Sequence, residues 1–299
     1  MNTLAKLGGF AVTLALVFGG AVAAGQVVGP RGDTGGGRGG MAHGGASHAT
    51  ESGDRSGASE AGAFPKGLMV SQDGYTLRPA ATTMSAGHSR FSFTVLGPDG
   101  TPLREYTPTH DKELHLIVVR RDLTAFQHLH PVLGADGAWT VPLALAEPGA
   151  YRAFADFAPK ARGTDGLTLG VDLFVAGSDQ PRTVPAPSRT AQVDGYTVTL
   201  DGELTAGTSS PVTLTVSRGG RPVTDLQPYL ASYGHLVVLR AGDLAYLHVH
   251  PDGEPGDGKT TAGPAIRFFA EVPSTGTYRL YLDFRHQGTV HTAAFTAVA

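Results

Sequence analysis

No cysteine occurs among the 299 residues. Its absence excludes disulfides, thiolate zinc sites, iron–sulfur ligation, cysteine nucleophiles, blue-copper centres and a lipid-anchoring cysteine. Any metal centre must then use nitrogen, oxygen or thioether donors. Charge is also scarce: Asp, Glu, Lys and Arg together make 16% of the chain, against roughly 25% in an ordinary domain. The net charge of −3 offers no basic excess of the kind that nucleic-acid binders carry, so no nucleic-acid partner is expected. Strong helix signals are missing after residue 25. Ser/His/Asp spacing, paired catalytic carboxylates and a phosphate-binding glycine loop are missing too, since the Gly-rich run at 35–40 follows no strand and precedes no helix. These gaps argue against an enzyme.

Glycine, by contrast, is abundant at 42 residues, and its distribution marks out the organisation of the chain. Residues 1–25 hold Lys6 and then the apolar run Leu7–Ala24, expected to form a helix. It reads either as a signal peptide cleaved near Ala21-Val22-Ala23 or Val22-Ala23-Ala24, or as an uncleaved membrane anchor. Both readings put the remainder outside the cytoplasm, secreted or anchored, with the membrane touched only through this segment. Residues 26–67 are rich in Gly, Ser, Ala and His and hold too few large apolar side chains to fold, so a disordered linker is expected. Met41, His43 and His48 read as incidental polar residues in it.

An internal repeat organises the rest. Residues 68–176 and 189–299 align from Gly74-Tyr75-Thr76 and Gly195-Tyr196-Thr197 onward. His115-Leu-Ile-Val-Val-Arg, Asp122-Leu123 and His128-Leu-His130-Pro131 match His235-Leu-Val-Val-Leu-Arg, Asp243-Leu244 and His248-Val-His250-Pro251. Farther on, Gly149 to Phe157 matches Gly276 to Phe284, pairing Asp156 with Asp283. Residues 177–188, with Pro181, Pro185 and Pro187, form a short extended link. Period-two alternation in Arg90–Leu96 and Pro211–Ser217, with turn residues between such segments, makes each copy all-β. The fold class expected is therefore two tandem immunoglobulin-like β-sandwich repeats.

Chemistry concentrates in the histidines. Side chains at i and i+2 of a strand share a face, so each His-x-His pair points one way. A hairpin turning near Arg121-Asp122 sets His115 opposite His130, and three imidazoles can then converge on one ion. The same construction applies to His235, His248 and His250. Imidazole donors without sulfur suit copper or zinc, with Asp156 and Asp283 as fourth ligands or outer-sphere partners. Other histidines carry less weight: His110 precedes the first hairpin, and His286 and His291 follow the second Asp-Phe, where the first copy has no histidine. A second reading makes the same histidines a structural hydrogen-bond network. His115 shares its face with Ile117, Val119 and Phe126, and His235 with Val237, Leu239 and Tyr246, which are neighbours suited to buried imidazoles. Leu236, Val238, Leu247 and Val249 form the cleaner core face. The histidine face is then a partly open site or the contact between the two sandwiches.

These blocks resemble actinobacterial-type secreted or membrane-anchored proteins of the YtkA-like and heavy-metal-associated kind. The resemblance implies β-sandwich domains in the cell envelope and heavy-metal handling through His115, His128, His130, His235, His248 and His250. A cupin would need a glutamate about four residues after its His-x-His, where Pro131 and Pro251 intervene and Glu147 is distant. A histidine-brace oxygenase would need histidine at the mature N-terminus. The function expected is extracytoplasmic binding of copper or zinc, with a non-metal scaffold or adhesion module as the alternative.

Overall fold

The computed structural model describes residues 65–299 except Thr164 and His248. The apolar N-terminal segment, most of the linker with Met41, His43 and His48, and the ligand candidate His248 lie outside the described residues. Among those described, the chain is all-β apart from a single 3-10 turn at Lys160–Arg162. The alternation seen in sequence sets the faces: Phe91, Phe93 and Val95 point inward from strand Gly87–Leu96, as do Val212, Leu214 and Val216 from Ser209–Arg218.

In the first copy one sheet runs in the order Ser71–Gln72, Tyr75–Pro79, Gly87–Leu96, Ala138–Leu145, Val132–Leu133. Facing it is a sheet ordered Thr83–Met84, Leu167–Val175, Gly149–Pro159, Leu114–Arg120, Gln127–Leu129. Their inner faces enclose a core around Trp139, whose Nε1–H donates to Tyr106 Oη at 3.0 Å. In the second copy the sheet Thr190–Val193, Tyr196–Asp201, Ser209–Arg218, Ala265–Glu271, Val249–Pro251 faces His235–Arg240, Thr277–His286, Thr289–Val298. Its core includes Leu236, Val238 and Leu247, with Val249 packed against it.

A third apolar cluster joins the two sandwiches into one compact unit spanning Glu60–Ala299. All seven residues of Leu114–Arg120 are buried. Leu114, Leu116 and Val118 face their own core, while Ile117 and Val119 face Val237, Leu239 and Tyr281 of the other sandwich. The histidine-bearing face of each first hairpin strand is thus the seam between the copies. Phe126 stacks on Tyr281 at 4.0 Å between ring centroids, and the Tyr281 hydroxyl donates to the Leu123 carbonyl at 2.6 Å. Leu123 and Leu244, at matched turns, both take left-handed backbone with φ of 65° and 64°. That conformation is costly for leucine, and burial of both side chains in the seam offsets it.

Two further segments stitch the seam. Gly67 O accepts from Arg152 Nε at 3.0 Å in the first sandwich, while the neighbouring Lys66 O accepts from Tyr246 N at 2.9 Å in the second. A Cβ at Gly170 would lie 2.0 Å from Gly67 O, so only glycine lets this segment approach. The link of residues 177–188 docks through Arg120, which donates to Gln180 O at 3.2 Å, and through Arg182 N, which donates to Asp122 Oδ2 at 2.8 Å. Truncating Leu239, fully buried in the seam, to alanine is expected to cost about 2–5 kcal/mol, read as a lower urea midpoint at unchanged slope.

Candidate functional site

Strand parity carries His115 and His235 into the seam. The pairing Leu116↔Leu129 and Ile117↔His128 continues to set His115 across from His130, the register that the spacing predicts. The ring centroids of His115 lie 5.3 Å from His128 and 5.2 Å from His130, and those of His128 and His130 are 4.9 Å apart. His235 enters from the second sandwich, stacked on His115 at 5.4 Å and 4.8 Å from His128. Ligand nitrogens of His115, His128 and His235 all lie within 4.8 Å of one another.

This grouping differs from the expected pair of separate triplets. The second hairpin begins as the first does, with Leu247 N donating to Val238 O at 3.0 Å. It then leaves its sheet early: Val249–Pro251 pairs with Ala265–Glu271 of the opposite sheet, where His250 is exposed. His235 therefore joins the first copy's histidines, and one group spans the seam. Missed from sequence was His110, whose ring lies 5.5 Å from His235 and 6.2 Å from His115. Its matched position in the other copy is Leu230, so the repeat comparison itself concealed it. His286 and His291 lie elsewhere, engaged with Asp225 and Asp194 at 3.0 and 2.7 Å.

Both aspartates lie on strands that flank the histidine strands. Asp283 is the ladder partner of His235, and its Oδ2 accepts from His128 Nδ1 at 2.7 Å, with the two side chains 3% and 2% exposed. Its Oδ1 accepts from the Thr292 hydroxyl at 2.5 Å. Asp156 is the ladder partner of His115 and accepts from the Thr168 hydroxyl at 2.9 Å. Burial pushes the Asp156 carboxyl above the ordinary carboxylate range, with the Thr168 hydroxyl opposing.

Proton positions follow from these partners. A carbonyl oxygen only accepts, so the contact of His115 Nε2 with Thr109 O at 3.0 Å places the hydrogen on Nε2. Burial, followed by repulsion from His128, lowers the His115 pKa to about 3, so its Nδ1 is a bare lone pair. His128 Nδ1 donates to Asp283. Yet His115 Nδ1 and His128 Nε2 stand 3.0 Å apart. Two neutral rings with these tautomers beside an ionised Asp283 would oppose lone pairs, so this contact calls for one more positive charge, either a metal ion or a proton shared by the His128–Asp283 pair. His130 Nε2 is buried with no hydrogen-bond partner.

A protein-family model described as "Domain of unknown function (DUF8832)" matches residues 70–165 and 191–299, one region in each sandwich, and the chain belongs to that family. No curated protein matches. Among solved structures, the chain is similar to the Yersinia pseudotuberculosis adhesin InvE at 14% identity and a TM-score of 0.21, covering 75% of this chain and 58% of that one. Similarity to trypsin-activated alpha-2-macroglobulin from Escherichia coli is 13% identity with a TM-score of 0.26, over 75% and 15%. For invasin, a bacterial integrin-binding protein, the values are 11% and 0.24, over 77% and 40%. The chain thus spans less than two thirds of each of these proteins.

Acidification tests the seam. Burial, again followed by His128, lowers the His130 pKa to about 4, and burial holds His235 well below the ordinary histidine value. An unfolded histidine titrates near about 6.5, so between that value and the folded pKa the unfolded chain binds more protons. Stability from these rings is present above about pH 6.5 and lost as the pH falls toward about 4. For chelator-treated protein, the urea midpoint is expected to fall from about pH 7.5 to about pH 5, and to fall less in His115→Gln/His130→Gln.

Proposed function

We propose that this protein is an extracytoplasmic binding protein that holds one transition-metal ion, copper or zinc, between its two sandwiches. The observation that carries the reading is the 3.0 Å contact between His115 Nδ1 and His128 Nε2, each ring having its other nitrogen committed to an acceptor. Two imidazole nitrogens each about 2.0–2.1 Å from one ion stand about 3 Å apart at a bond angle near 90–100°. His235 supplies a third nitrogen from across the seam. His130, with its buried unpartnered Nε2, is the candidate for a fourth. Asp283 acts on the ion through His128, fixing its tautomer and raising its basicity in the manner of a carboxylate–histidine–metal relay. Asp156 and His250 stand outside the donor set in this reading. The resemblance of the histidine blocks to YtkA-like and heavy-metal-associated proteins, with the apolar N-terminal segment, supports a place in envelope metal handling.

One observation favours a second reading, a non-metal scaffold with a structural network. The buried pair of His128 and Asp283, 2.7 Å apart, is the natural home for an imidazolium, which would satisfy His115 Nδ1 with a proton instead of a metal. Titration of the chelator-treated full chain with copper(II) and zinc(II) separates the two. The metal reading expects uptake of one equivalent at micromolar or tighter affinity, weakened about 100-fold or more in His235→Ala while circular dichroism stays unchanged. Absence of micromolar uptake, with His128→Ala destabilised by about 3–5 kcal/mol in chelator because Asp283 is left buried and unpaired, would establish the network instead.

A further inference from the structure

Above the histidine group two matched turns meet, one from each copy. Thr109–Lys112 closes on itself through Thr109 N to Lys112 O at 2.8 Å, and Tyr229–Ser232 through Tyr229 N to Ser232 O at 2.7 Å. Asp111 Oδ2 accepts from Ala231 N at 2.9 Å and fastens one turn to the other across the seam. Each turn holds two consecutive residues in the left-handed region: His110 and Asp111 at φ of 50° and 63°, Leu230 and Ala231 at 57° and 58°. Strained non-glycine backbone of this kind persists where the surroundings over-determine it. At matched positions the first copy presents an imidazole and the second a buried leucine.

Between these turns lies a cavity of about 10 Å³, lined by His110, Leu230, Ser232, His235 and Phe268 among others. A space of that size accepts about one water or one ion. His110 borders it together with His235, and its ring is edge-on to both His235 and His115. His110 stands outside the mutually close nitrogens of His115, His128 and His235. It is partly buried, as are His128, His130 and His235, whereas the His115 ring is enclosed.

An ion reaching the seam must shed its water before the imidazoles of His115, His128 and His235 can replace it. Stripping a charge without compensating ligands is prohibitive, so transfer proceeds fastest if a donor at the mouth replaces water while the ion still touches solvent. Resting on the metal reading above, we propose that His110 is the port of the histidine centre, taking a divalent copper or zinc ion from solvent and passing it to His235 and His115. Its role is in the rate of exchange and not in the final donor set. The duplication supplies the control: Leu230 occupies the equivalent turn position with nearly the same φ, so a leucine is compatible with this backbone.

The test is stopped-flow mixing of the full chain with copper(II), followed by its ligand-field absorbance, and release into a chelator. His110→Leu is expected to slow both association and release by about ten-fold, at the lower edge of the effect that groups around a metal site exert, with the dissociation constant unchanged. His110→Asn, which suits left-handed backbone, decides the matter if the leucine variant does not fold. Unchanged rates overturn the proposal, as does a weaker dissociation constant with unaltered association, which would make His110 an equilibrium ligand. Failure of the wild type to bind copper(II) or zinc(II) at all is a different result: it removes the metal reading itself.

Discussion

The constraint on which this structure depends is that strands Leu114–Arg120 and His235–Arg240 have no solvent face. In an ordinary sandwich one side of a strand meets the core and the other meets water. Here the second side meets the other copy, through Ile117, Val119, Val237, Leu239 and Tyr281. A histidine at an odd position of either strand is then enclosed, whatever its chemistry. Enclosure lowers the proton affinity of His115 and His235, and the acceptors beside His115 and His128 fix where their hydrogens sit. The 3.0 Å approach of His115 Nδ1 to His128 Nε2 takes its meaning from those hydrogen positions, not from the distance alone.

Duplication built the seam, but the described histidines do not divide into two matched groups. Both copies carry the same histidine spacing, and both hairpins start in the same register. They diverge at the crossing between sheets. In the first copy Gln127–Leu129 stays beside Leu114–Arg120, and only Val132–Leu133 joins the facing sheet. In the second copy Val249 already pairs with Ala270. Moving that crossing by a few residues turns His250 outward and leaves His235 to combine with the first copy. The turn above repeats this asymmetry, with His110 on one side and Leu230 on the other. Among the described residues, an approximately symmetric interface therefore gathers its close histidines unequally from the two halves.

Much of this was legible in the sequence because β-structure writes its faces with period two. The division of Leu236, Val238 and Leu247 from His235, Val237 and Leu239 could be read directly, as could the opposition of His115 and His130. That the histidine face was either a site or the contact between copies was also readable, and the apolar cluster shared by the two sandwiches makes it the contact. What sequence could not provide was the residue at which a strand changes sheets. That depends on the ladder partners offered by Ala265–Glu271, more than a dozen residues away. His110 was hidden for a related reason: turns carry no periodicity, and repeat matching discards whatever one copy lacks.

Energetics bears on what such a centre is for. A seam built only to hold two sandwiches together would gain from apolar residues, because exchanging buried polar pairs for well-packed hydrophobic ones is often neutral or stabilising. The flanking cluster of Ile117, Val119, Leu123 and Leu239 does hold them in that way. His115, His128 and Asp283 can be satisfied by a single proton, so a structural network accounts for those three. It leaves the buried Nε2 of His130 unpaired, and an unsatisfied buried nitrogen costs about 1–3 kcal/mol. Apolar side chains in the same place would avoid that cost. In the metal reading proposed above, an ion that His130 also ligated would remove it and would supply the positive charge between His115 Nδ1 and His128 Nε2. The unpartnered Nε2 of His130 is thus the point on which the two proposed readings part.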